Sequence, residues 1–162
     1  MPKNSIPKTN AMRVLDQRKI AYQTTTYSTD IHSAAEVAEI LGVPAEQVYK
    51  TLVVLPESGQ GRPILVLMPG NKELDLKVFG AGAGEKKVRM ASQREAENLT
   101  GLLVGGISAL ALLQKGFRVF IDEEALLLDQ IYVSAGQRGI NLGLARADLI
   151  KVIAATPVKV AN

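Results

Sequence analysis

Residues 48–68, VYKTLVVLPESGQGRPILVLM, decide how the rest of the chain is arranged. VYKTLVVL is rich in β-branched and aliphatic residues and ILVLM is apolar without a break, so both are strands. Between them ESGQGRP gathers Ser, Gly and Pro, residues that turn a chain, and the pair forms an antiparallel hairpin. Alternation sets Tyr49 and Thr51 on one side of the first strand and Lys50 and Leu52 on the other. An ammonium early in an apolar strand either snorkels to the sheet edge or points into a pocket, where it can pair with a phosphate or polarise a carbonyl.

Working outward, Thr9 or Asn10 caps a first helix that carries Met12, Val14 and Leu15 inward and ends near Arg18 and Lys19. Residues 20–27, with their Thr and Tyr, form a strand. Ser33 followed by Glu36 is a capping box opening the helix AAEVAEIL, and Gly42 closes it. Downstream of the hairpin a helix at 74–79 is stopped by the Gly-Ala-Gly-Ala-Gly run at 80–84. That run follows a helix, not a strand, and lacks the Gly-Lys-Ser/Thr ending of a phosphate loop. KVRMA is a strand, and Ser92 with Glu95 is a second capping box, opening QREAENL. RVFID and IYVS are strands, GINLGL a shorter one, and RADLIKVIAA a closing helix. Strands and helices interleave without regular long crossovers, which favours an α+β domain with a mixed sheet.

At 162 residues, 47% of them hydrophobic and 22% charged, the chain fits one domain spanning 1–162, with its core at about 7–153. There is no cysteine, which excludes disulfides, thiolate metal sites and a cysteine nucleophile. One histidine, His32, excludes a multi-histidine metal site and leaves a Ser-His-Asp triad only through itself. No metal and no cofactor are expected. The amino terminus has no apolar core behind its charges, and no apolar run approaches a membrane span, so a cytoplasmic protein with no membrane partner is expected. A net charge of +3, one basic cluster at Lys86, Lys87 and Arg89, and 4% aromatics suit a small contact with the end of an RNA. No DNA partner is expected.

Two small-residue turns join Lys50 as candidates. LLVGGIS supplies Gly105, Gly106 and Ser108, and IYVSAGQRG supplies Ser134, Ala135 and Gly136, followed by Arg138 and Gly139. Such turns can aim N–H groups at an oxyanion or phosphate, and they can equally be bulges or hairpin turns.

PKTNAMRVLD, Tyr27 of TTY, VYKTLVV, LDLK, KKVRMA, TGLLVGGIS and IYVSAGQRG occur in this order. As a set they resemble the YbaK/EbsC family of aminoacyl-tRNA deacylases, related to the editing domain of bacterial prolyl-tRNA synthetase. The resemblance covers roughly residues 7–153. It implies a curved, mixed, partly barrel-like sheet flanked by helices, and trans-editing of Cys-tRNA(Pro). The substrate's own thiol would attack its ester, and the protein would position that ester and stabilise charge. It implies Lys50 as the catalytic residue facing the ester and terminal adenosine, with Tyr27, Thr51, Gly105, Gly106, Ser108, Ser134 and Gly136 binding substrate. The implied partners are the acceptor end of a mischarged tRNA and, as a candidate, prolyl-tRNA synthetase. After GGIS the family usually has Pro and then Gly, where this chain has Ala109 and Ala111, and Asn141 stands where members can carry an acidic residue. A non-catalytic RNA-binding or regulatory module and a small-ligand pocket protein are the alternatives on the same fold.

Overall fold

In the computed structural model, which describes residues 7–31 and 33–162, the elements run α1 (Asn10–Gln17), β1 (Gln23–Thr26), α2 (Ala34–Leu41), β2 (Tyr49–Pro56), β3 (Ile64–Pro69), α3 (Leu76–Ala83), β4 (Val88–Met90), α4 (Gln93–Thr100), β5 (Arg118–Asp122), β6 (Gln130–Ser134), β7 (Ile140–Ala145), α5 (Arg146–Ile153) and β8 (Thr156–Val158). Short 3-10 turns lie at Ala45–Gln47, Leu110–Leu112 and Glu123–Leu127. His32 lies outside the described residues.

The hairpin forms as its sequence predicts: β2 and β3 are antiparallel, with Val54 opposite Ile64 and Lys50 opposite Met68. All six residues of β3 are buried, because the strand is covered on both faces, the circumstance that produces an unbroken apolar run. Leu65 and Leu67 enter one core with Leu15, Ile131, Leu142 and Leu149. Ile64, Val66 and Met68 enter a second with Phe79, Val88 and Phe120, where the rings of Phe79 and Phe120 meet edge to face at 5.3 Å. One strand therefore ties two hydrophobic layers together.

The architecture is α+β, but the strands divide into two sheets where one was expected. A five-stranded mixed sheet has the order β4-β2-β3-β5-β8, with β3, β5 and β8 parallel, and a three-stranded antiparallel sheet has the order β1-β7-β6. A parallel bridge between Val48 and Tyr132 joins their margins, and no closed barrel forms among the described residues.

The helix caps follow the sequence, the Ser33–Glu36 box in its Ser33 half. Thr9 accepts from the Met12 amide, Ser33 from Glu36, and Ser92 with Glu95 closes both halves of its box. Gly42 ends α2 at a φ of 71°.

Four details depart from expectation. α3 does not stop at residue 80: it starts at its Asp75 cap and runs through Gly80 and Gly82 to a left-handed Gly84. The glycines are tolerated because the helix lies so close to the sheet that a Cβ on Gly82 would come within 2.6 Å of Val158. Packing there outweighs the roughly 1 kcal/mol that helical glycine gives up. β1 is shorter than residues 20–27, and β7, read as the shorter strand, has six residues against five in β6 and lies at the centre of its sheet. α5 does not close the chain: β8 follows it and pairs with β5 at the sheet edge, where Pro157 is tolerated because no neighbour needs its missing N–H.

Candidate active site

Where β2 begins, α2, the 104–107 loop, β6 and β7 leave a cavity of 340 Å³. Tyr27, Lys50, Thr51, Gly105 and Ser134 line it, brought together from four separate stretches of sequence.

Lys50 is half-buried, and its Nζ donates to the carbonyl of Lys72 at 2.6 Å and that of Gly70 at 3.5 Å. Burial lowers its pKa below the usual lysine value, partly offset by the carboxylate of Glu73. It therefore does not snorkel freely from the sheet edge; backbone carbonyls hold it at the cavity wall. Gly70 itself admits no side chain, since a Cβ there would lie 1.9 Å from that of Ala34 in α2. The short β3–α3 connection and the helix that walls the cavity are thus in direct contact.

The two glycine turns meet each other. Arg138 Nε donates to the Val104 carbonyl at 2.7 Å, and a Cβ on Gly106 would lie 2.8 Å from the Arg138 amide nitrogen. Gly139 brings in the third piece: its carbonyl accepts from the Tyr27 amide at 2.9 Å, and a Cβ on it would strike the Tyr27 carbonyl. Gly106, Ser108 and Gly136 do not line the cavity. Gly106 is where the turns touch, Ser108 is buried and faces the Ala111 amide at 3.4 Å, and the Gly136 amide donates to Ser134 Oγ at 3.2 Å. Lys86 and Lys87 are exposed and lie outside the cavity lining, while Arg89 is occupied by a two-pronged ion pair with Glu95.

Sequence reading assigned no role to two groups of the lining. Tyr49 and Asn141 both line the cavity, both are 4% exposed, and each carries a buried side-chain oxygen with no hydrogen-bond partner. Such oxygens cost about 1–3 kcal/mol each when left unpaired, so each favours a polar partner from outside the chain, whether water or a ligand. Burial pushes the Tyr49 phenol up, with Asp122 and Glu124 adding to the shift, so it remains a donor throughout the ordinary pH range. Burial also raises Tyr27, with the Asn141 side chain working in the opposite direction. Nothing in composition or periodicity marks Asn141, which sits in a strand that is otherwise apolar or glycine.

Among the described residues no Asp, Glu or His lines the cavity, and no group of three His, Cys, Asp or Glu could hold a metal ion. No described helix is long and apolar enough to cross a membrane. The lining offers one ammonium, hydroxyls and an amide. It is suited to holding and polarising a reactant, and its described residues include no carboxylate or imidazole with which to activate Ser134 or Thr51 as a nucleophile.

The chain is 39% identical over 145 residues to an Enterococcus faecalis protein named “Putative Cys-tRNA(Pro)/Cys-tRNA(Cys) deacylase EbsC”, covering 88% of this chain and 87% of that one. It is 32% identical over 109 residues to a proline–tRNA ligase of Maridesulfovibrio salexigens, a match to 67% of this chain and 18% of the ligase. The fold is shared with the crystal structure of hypothetical protein APE2540 at a TM-score of 0.85 and 26% identity, over 95% of this chain and all of that one. It is also shared, at 0.81 and 22% identity over 97% and 99%, with a structure described as a “putative trans-editing enzyme for prolyl tRNA synthetase”. The family model of the aminoacyl-tRNA editing domain matches residues 28–152, a span that contains Lys50, Gly105, Ser134 and Asn141, and the chain belongs to that family.

Proposed function

We propose that the chain is a cytoplasmic trans-acting deacylase that removes cysteine from mischarged tRNA(Pro). The observation that carries the reading is the cavity itself: a pinned ammonium at Lys50 and an unpartnered, buried Asn141 oxygen line the same space. In this reading Lys50 faces the ester and its adjoining adenosine, and Asn141 Oδ1 accepts from the α-ammonium of the aminoacyl group. Tyr27, Thr51, Gly105 and Ser134 shape the walls. Gly106, Ser108 and Gly136 act one step back by fixing the two turns. The name of the Enterococcus relative and the match to the ligase support both the tRNA ester and the link to proline decoding.

A cavity whose described lining residues carry no carboxylate or imidazole suits a substrate that brings its own nucleophile. The cysteinyl sulfur forms a bond to the ester carbon and the bond from that carbon to the ribose oxygen breaks. The thiol proton passes to the ribose oxygen, and the thiolactone released is hydrolysed by water. The protein contributes position and charge, which for a well-oriented intramolecular reaction supplies most of the acceleration.

The test is release of amino acid from tRNA(Pro) carrying cysteine, alanine, serine or proline, with purified protein. Cysteine is released fastest, and serine, which keeps the shape but lacks the thiol, is spared. Faster release of alanine or serine overturns the cysteine assignment. Release of none overturns the deacylase reading.

A further inference from the structure

From the contacts of the β3–α3 connection we infer that Lys72 is a positioning residue for Lys50, acting through its backbone while its own side chain anchors the loop. This rests on the deacylase reading above. Lys72 is bound at both ends. Its carbonyl oxygen accepts from Lys50 Nζ at 2.6 Å, and its own Nζ reaches Asp122 Oδ2 at 3.2 Å and Glu124 Oε1 at 2.9 Å. Asp122 is 2% exposed and fixed in turn, its other oxygen accepting from the Glu124 amide at 3.1 Å. The anchor therefore stands at the end of β5, beside the central strand of the larger sheet, on a different element from the one that carries Lys50.

The neighbouring loop positions are held as well. The Gly70 amide donates to the Val48 carbonyl at 2.9 Å, and Asn71 Nδ2 donates to Glu46 at 3.1 Å. Those contacts pin the near side of the loop to the segment preceding β2. Only the Lys72 side chain ties the loop to β5 among these contacts, and its carbonyl makes the shorter of the two hydrogen bonds to Lys50. An ammonium on a four-carbon stem has many rotamers, and a carbonyl presented at a fixed place selects among them. Displacement of that carbonyl by an ångström displaces the charge by a similar amount, and such errors reduce turnover without removing any group that touches substrate.

The pair Lys72 and Asp122 makes the inference testable from both ends. Lys72→Met lowers kcat by about tenfold to a hundredfold with KM held within about twofold, because substrate contacts survive and only alignment is lost. Lys72→Arg restores most of kcat, since it can still reach Asp122 and Glu124. Asp122→Asn produces a loss of the same kind. The double variant Lys72→Met/Asp122→Asn removes the buried Asp122 charge together with its part-exposed partner, so it keeps the fold where Lys72→Met alone strands a buried carboxylate. Its kcat lies within about twofold of the worse single variant, as expected of two residues acting in one chain of contacts.

Wild-type kcat in Lys72→Met, no rescue by arginine, a rise in KM in place of a fall in kcat, or additive losses in the double variant would each overturn the inference. Lys50→Ala is measured alongside. Full activity in that variant overturns the underlying reading of Lys50, whereas an inactive Lys50→Ala beside an unaffected Lys72→Met removes Lys72 alone.

Discussion

The two ends of β2 are a few residues apart and follow different rules. At the far end Val53 and Val54 point into two separate cores, and their neighbours across the hairpin, Leu65 and Ile64, are fully buried. Every side chain there is explained by burial. At the near end Tyr49, Lys50 and Thr51 face a cavity, one carrying a phenol without a partner and the next an ammonium held by carbonyls. These groups are polar where the far end is apolar, and they line a cavity where the far end fills a core. A strand that is anchored firmly at one end can hold reactive groups in fixed positions at the other, and substitutions should separate stability from turnover along it.

The largest separation is expected at Lys50. Lys50→Ala removes a positive charge from the cavity wall and should lower deacylation a hundredfold or more, the loss of about 3–4 kcal/mol typical of one preorganised electrostatic contact. Stability should hold at neutral pH. The folded-state pKa of Lys50 is lowered, so its charged form is disfavoured by folding, and wild-type stability should gain from this group as pH rises through the folded pKa toward the unfolded value of 10.5. The variant should lack that alkaline gain. Deacylation rates with melting curves from neutral to alkaline pH decide the matter, and near-normal turnover would return Lys50 to a purely structural role.

The converse is expected at Ile64, opposite Val54 and fully buried. Ile64→Ala should cost about 3 kcal/mol through lost transfer energy and a residual cavity. The folded fraction should keep nearly normal kcat and KM, because the change lies at the other end of the hairpin from Lys50. Denaturant titration and active-site-normalised kinetics check both halves. A large fall in kcat would mean that the ends of β2 are not independent.

What could be read from sequence follows the same division. The hairpin, the capped helices and the left-handed Gly42 were legible because each depends on residues adjacent in the chain. So was Lys50 as a residue to place at a cavity wall, since an ammonium contradicts the pattern around it. The extension of α3 through Gly80 and Gly82 was not, because it depends on contact with Val158, which belongs to a strand too short and Pro-containing to announce itself. The division into two sheets was also hidden, since strand segments alone do not say which edges pair. In the cavity, Gly105 and Ser134 stood out as members of small-residue turns. Gly106, Ser108 and Gly136 stood out for the same reason, and only coordinates distinguish the turn positions that face the cavity from those that hold the turns together. Asn141 was legible only as a departure from a resembling pattern. Its lack of a partner is a fact about the folded surroundings.

Asn141 gives the smallest expected effect and the sharpest comparison, because stability and function should move in opposite directions. Its Oδ1 accepts no hydrogen bond from the protein, so Asn141→Leu, close to it in shape, replaces that acceptor by apolar surface, at the cost of the amide's action on the Tyr27 phenol. Such replacements are neutral or stabilising, and relief of about 1 kcal/mol would raise the melting temperature by about 2–4 °C in a chain of this length. If Asn141 accepts from the α-ammonium of the substrate, the variant loses a hydrogen bond to a charged group, about 1.5–3 kcal/mol, and kcat/KM falls roughly tenfold to a hundredfold. Asn141→Asp sharpens the point by adding charge where leucine removes polarity: it should lower stability through an unpaired buried carboxylate while retaining activity toward an ammonium-bearing ester. Melting temperature and kcat/KM measured on the same preparations test this directly. A leucine variant that is less stable yet fully active would show that the Asn141 amide serves the fold, and would leave the Lys50 wall of the cavity as the only one with a part in turnover.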